Sequence, residues 1–148
     1  MATVESFIPT SLWTANFNLT VLDPLGLNPA TIIRNTDAWQ LQVDINLSGP
    51  VVPFLGGTFH IQPYIEALGA DQEGQLISEQ VQPLVGLSTY SLTFNIQKAS
   101  SYPIVPGGVV LDPGPYRLTL VLTYTDLLNN PGEIAGFVEG PIIQFYIP

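Results

Sequence analysis

The side chains with the widest chemical repertoire in this sequence are His60, Gln62, Tyr64 and Glu66, spaced two apart, with Asp71 and Glu73 a few positions on. A histidine can ligate zinc or move a proton, and carboxylates beside a turn can hold Ca²⁺. Either chemistry needs partners. His60 is the only histidine and cysteine is absent, so a zinc site has no second imidazole and no thiolate to draw on. No G-x-S-x-G elbow accompanies His60, and the acidic residues form neither a D-x-D ladder nor an EF-type loop. These surroundings favour a solvated histidine on an edge strand and a solvated acidic turn. The alternative is a sugar or Ca²⁺ site over His60, Gln62, Tyr64, Glu66, Asp71 and Glu73.

Other reactive patterns fall away on similar grounds. No spacing nominates a carboxylate pair for glycoside hydrolysis. Gly56-Gly57 and Gly107-Gly108 lack the G-x-x-x-x-G-K-[ST] context of a phosphate cradle and read as turns. The cations are Arg34, Lys98 and Arg117 in a chain of net charge -9. Affinity for nucleic acid rests largely on Lys and Arg contacts to phosphate, so nucleic-acid partners are not expected, nor are anionic membrane surfaces. No cofactor, metal or catalytic residue is assigned, and the expectation is a protein that is not an enzyme.

Those side chains must be positioned by strands. The 148 residues include 14 Pro and 13 Gly, the punctuation of short strands and turns, and they fit one domain with a single core. Trp13, Ala15, Phe17, Leu19 and Val21 alternate with Thr14, Asn16, Asn18 and Thr20, the period-two pattern of a strand with one wet face. The same alternation runs through Trp39, Leu41, Val43, Ile45 and Leu47, through Phe59 to Ala67, and through Tyr90, Leu92, Phe94 and Ile96. A short piece at Thr31-Ile32-Ile33 and a weaker strand from Leu76 to Gln82 are also predicted. Pro63 cannot donate to a ladder, which predicts that the Phe59–Ala67 strand is a sheet edge or bulged. Pro141 makes the same suggestion for a last strand over Ile134–Ile147.

Asp112-Pro113-Gly114-Pro115-Tyr116 feeds a tyrosine into the alternating run Leu118, Leu120, Leu122, Tyr124. With Trp39 in a core strand and about seven strands in all, this resembles the immunoglobulin-like and fibronectin-type sandwiches, whose tyrosine corner precedes the sixth strand. The expected fold is therefore all-β: a single-domain, two-sheet antiparallel β-sandwich over 11–148 behind a polar lead-in, 1–10. The resemblance implies that Tyr116 ties its hydroxyl to upstream backbone. It also implies that the second-to-third, fourth-to-fifth and sixth-to-seventh connections meet at one pole.

In this chain all three connections are apolar: Val51, Val52, Phe54 and Leu55; Leu84, Val85 and Leu87; Leu127 and Leu128. Exposed together they would mark a protein interface; turned inward they would cap the core. Only 10% of the residues are charged, a composition that favours association. The functional expectation is a protein-interaction or structural module. It would self-associate as a homo-oligomer, or dock a partner protein, through this pole or through sheet edges. Met1 to Pro9 has neither the basic nor the apolar region of a secretory signal, and no later apolar run could span a bilayer, so a cytoplasmic location without membrane insertion is expected.

Overall fold

The computed structural model describes residues 2–3, 5–6, 11–25, 29–69 and 72–148. Its strands are β1 (Ala2–Thr3), β2 (Glu5–Ser6), β3 (Thr14–Leu22), β4 (Ile32–Arg34), β5 (Trp39–Ser48), β6 (Thr58–Ala67), β7 (Glu73–Gln75), β8 (Gln80–Pro83), β9 (Thr89–Ile96), β10 (Gly114–Thr125) and β11 (Pro131–Tyr146). One sheet runs β1-β3-β5-β9. The other runs β2-β11-β10-β6-β7, with β8 also on β6 and β4 on β11. All pairings are antiparallel except β4 with β11, which is parallel. The chain is an all-β sandwich of two sheets. Pairing reaches into the lead-in, where β1 joins one sheet and β2 the other.

Alternation explains the layers. Successive side chains of a strand point to opposite faces, so Trp39, Leu41, Val43 and Ile45 of β5 all enter the core, as do Phe59, Ile61 and Ile65 of β6 and Leu118, Leu120 and Leu122 of β10. Each fully buried Leu, Ile, Val or Phe contributes about 1.5–3 kcal/mol relative to exposure. An aromatic contact bridges the two sheets, Trp39 of β5 lying 5.9 Å from Phe145 of β11, and within its own sheet Phe145 lies 5.4 Å from Tyr116 of β10, edge to face. Tyr116 Oη donates to the Asp112 carbonyl at 2.9 Å, so the tyrosine corner is present.

The strand after β6 departs from expectation. Of the strand predicted from Leu76 to Gln82 only its end forms, as β8; a second short strand, β7, precedes it, and both pair with β6. Strand β6 is consequently internal, between β10 and the β7/β8 pair, and the edge predicted from Pro63 is overturned. The proline acts one strand further out. Its carbonyl accepts from Leu76 N at 3.1 Å, and in a strand the N and O of one residue face the same side, so its missing donor faces the break between β7 and β8. Gln62 Nε2 bridges that break, donating to the Pro63 carbonyl at 2.9 Å and the Ile77 carbonyl at 2.6 Å. In β11, Pro141 falls where the register slips between the Arg117–Ile142 and Thr119–Glu139 pairs, a bulge rather than an end.

Candidate functional site

Strand register sets the two poles. Thr14 faces Ser48, Asn46 faces Thr89, and Thr58 faces both Thr125 and Pro83, so the connections after β5, β8 and β10 leave the sandwich at the same end. Leu84 N donates to Gly57 O at 2.9 Å, joining the β8–β9 and β5–β6 connections, while Leu47 N of β5 donates to Ser88 O at 2.7 Å and Val51 N to Leu12 O, ahead of β3, at 3.2 Å. The three apolar connections thus share one pole.

Their side chains divide between capping and exposure. Val52 and Leu84 are 5% and 6% exposed and close the core, with Val51 and Leu55 packed against it. Phe54, Val85, Leu87, Leu127 and Leu128 are 86%, 69%, 54%, 80% and 81% exposed. The split between Val52 and Phe54 follows from the 3₁₀ turn at Val52–Phe54: at three residues per turn, positions two apart point in different directions.

The loops are held from behind by side chains of the sandwich. Tyr90 Oη accepts from Val85 N at 3.0 Å and Leu87 N at 3.2 Å, fixing the β8–β9 connection. Tyr124 Oη donates to Gly56 O at 2.8 Å, fixing the β5–β6 connection. Asp126 Oδ1 accepts from Leu128 N and Asn130 N, each at 2.9 Å, and Asn129 takes φ 62° to close the β10–β11 hairpin. Gly86, at φ +80°, lets its chain pass where a Cβ would stand 2.7 Å from Pro53 O. Between the β5–β6 and β8–β9 connections lies a groove of about 450 Å³ whose walls include Val52, Pro53, Gly86 and Leu87. Sequence reasoning placed the apolar residues but missed Tyr90, Tyr124 and Asp126 as their anchors. The Asp-x-Leu-Asn-Asn turn chemistry at 126 was the one local signal available.

The alternative site is assembled only in part. Tyr64, Glu66 and Glu73 line a second groove, of about 460 Å³, on the outer face of the β6 sheet with Ile65, Gly74 and Thr119. Glu66 sits between Glu73 of β7 and Arg117 of β10. His60 is not a solvated edge histidine: it is half-buried on an internal strand, with Nε2 2.9 Å from Thr125 Oγ1 and Nδ1 3.3 Å from Glu79 Oε1. Gln62 serves the β7/β8 break. Asp71 lies outside the described residues. Glu73 belongs to a strand rather than to a free acidic turn, and among the described residues no cluster of three or more potential metal ligands forms.

No protein-family model matches the chain, and no curated protein matches it. Solved structures do. The CARDB domain of a Pyrococcus furiosus protein, solved in complex with di-metal ions, is similar at a TM-score of 0.55 and 13% identity, over 95% of this chain and 100% of that one. A β-glucosidase from Listeria innocua is similar at 0.51 and 14% identity, over 90% of this chain and 17% of that one. A β-glucosidase from Erythrobacter marinus gives 0.52 and 15%, over 90% and 16%. The chain spans about a sixth of the β-glucosidases it matches. At such identities the likeness is one of fold alone, an immunoglobulin-like β-sandwich.

Proposed function

We propose that the protein is a non-enzymatic interaction module that docks protein through the pole carrying Phe54, Val85, Leu87, Leu127 and Leu128. One observation carries this reading: five large apolar side chains on three converging loops stay exposed while the backbone beneath them is hydrogen-bonded by Tyr90, Tyr124 and Asp126. Exposed apolar surface is a cost to a monomer, and a rigid mount lowers the entropy lost on docking. The test is to purify tagged wild-type chain and a Phe54→Asp/Leu127→Asp variant from the source cells, measuring mass in solution and co-recovered protein. The variant should lose assembly or partner. Unchanged assembly together with unchanged partner recovery would overturn the reading.

A second reading is favoured by the groove holding Tyr64, Glu66, Glu73 and Thr119, where an aromatic ring and two carboxylates offer partners for a sugar or for Ca²⁺. A glycan array probed with and without Ca²⁺ separates the two, since an interaction module of the first kind gives no signal.

A further inference from the structure

Strand β9 stands at a border of its sheet and, among the described residues, has a strand on one side only. The other borders of the sandwich are short, covered or broken. Across the same sheet, β3 is flanked by the two-residue β1 and, at Val21 and Leu22, by Pro29 and Ala30. The second sheet ends on one side in β7 and β8, of three and four residues, with Pro83 closing the latter. On its other side β11 carries β2, β4 and the slip at Pro141. Such devices keep a strand edge from pairing with another chain. Strand β9 has none of them: it is eight residues long, pairs with β5 without a register shift, and contains no proline and no charged side chain.

Two hydrogen bonds fix which backbone groups point outward. Ser88 O accepts from Leu47 N of β5, so at period two the N–H and C=O of Tyr90, Leu92, Phe94 and Ile96 also face β5. Those of Thr89, Ser91, Thr93 and Asn95 face away from it, and Gln80 Nε2 reaches Thr93 O from that open side at 2.9 Å. An open row of alternating donors and acceptors takes an extended polypeptide strand. We propose that the strand is β9 of a second copy, paired antiparallel about a two-fold axis through Leu92. The outward set is symmetric about that residue, which makes it its own complement. Thr89 meets Asn95 and Ser91 meets Thr93 in both directions, four pairs that each exchange two hydrogen bonds and use every outward group once Gln80 releases Thr93 O. The side chains agree. All four are exposed hydroxyls or amides, each able to donate and to accept, so the row can face its own copy as a charged row could not. Asp44, the carboxylate beside Ser91, already accepts from Ser91 Oγ at 2.6 Å, and the two copies of Asp44 lie three strand spacings apart, about 14 Å. This surface runs along the flank of the sandwich and is independent of the reading of the apolar pole.

Sedimentation equilibrium across the micromolar to millimolar range tests this on the full chain, whose monomer mass is 16.0 kDa. Wild type should approach twice that mass and stop there. Thr93→Lys sets like charges across the junction at an exposed position and should weaken the dimer by at least ~10-fold. Thr20→Lys, in the same cross-strand row but on β3, should leave it unchanged. So should Phe54→Asp/Leu127→Asp at the pole, which keeps failure of this proposal distinct from failure of the pole reading. Amide exchange on wild type gives a second readout. Raising the concentration should slow exchange at Thr89, Ser91, Thr93 and Asn95, while the amides between them stay protected by β5 throughout. The proposal is overturned by a monomer across the whole range, an open series of larger species, a dimer indifferent to Thr93→Lys, or protection that grows with concentration without that alternation.

Discussion

Tyr124 Oη donates a 2.8 Å hydrogen bond to the carbonyl oxygen of Gly56, tying the end of β10 to the connection that presents Phe54. The phenol reaches across 68 positions of sequence, so a strand residue governs the shape of a distant loop. Tyr124→Phe keeps the ring and its edge contact with Phe59, and should cost about 1 kcal/mol in urea unfolding. Amide exchange at Gly56 and Gly57 should accelerate in the same variant.

Gly57 sits directly against that phenol. Its φ is +90°, and a Cβ added there would meet Tyr124 Oη and stand 2.6 Å from Thr125 O. Gly57→Ala combines an unfavourable backbone conformation with a clash and should destabilise the sandwich by more than ~2 kcal/mol, measured as a lowered denaturant midpoint.

The pole residues should separate cleanly by role. Leu84 is buried against the core, so Leu84→Ala should cost about 2–5 kcal/mol. Phe54→Asp and Leu127→Asp replace exposed side chains and should each change stability by less than ~0.5 kcal/mol. Equal losses in both sets, by urea unfolding of the monomer, would mean that the exposed residues help hold the fold.

Tyr116→Phe removes the hydroxyl that reaches Asp112 O and keeps the ring against Phe145. A loss of about 1 kcal/mol is expected, with the carbonyl left partly able to find water. Because the corner lies at the pole opposite the apolar loops, assembly through those loops should be unaffected.

Alkaline pH should weaken the fold through its phenols. Burial pushes Tyr102, whose hydroxyl donates to Leu76 O at 2.6 Å, up to about 12. Burial and then Asp112 raise Tyr116, while burial and then Asp126 raise Tyr124. A folded value above the unfolded one, near 10, means the contribution is whole below about pH 10 and is lost as pH climbs through the folded value. Urea midpoints should hold level to about pH 10 and then fall toward about 12, and Tyr102→Phe should make the fall shallower.

Much of this protein was legible from residue order alone. Alternation along Trp39–Leu47 named the strand and its buried face, because the period of two is set by backbone geometry and needs no neighbour. Asp112 and Tyr116 announced the corner because the tie spans four positions, and the apolar content of the three connections was plain in their composition. Hydrogen-bond partners of a strand were not legible, since the side-chain pattern reports the face and is silent about the edge. So β6 was expected at a border and stands inside its sheet, with Pro63 accommodated by a break in the strand beyond. Only the assembled sandwich could decide that Val52 turns in and Phe54 out, or that Tyr90 and Tyr124 clamp the loops: those outcomes depend on groups far apart in the chain meeting at one end of the stacked sheets.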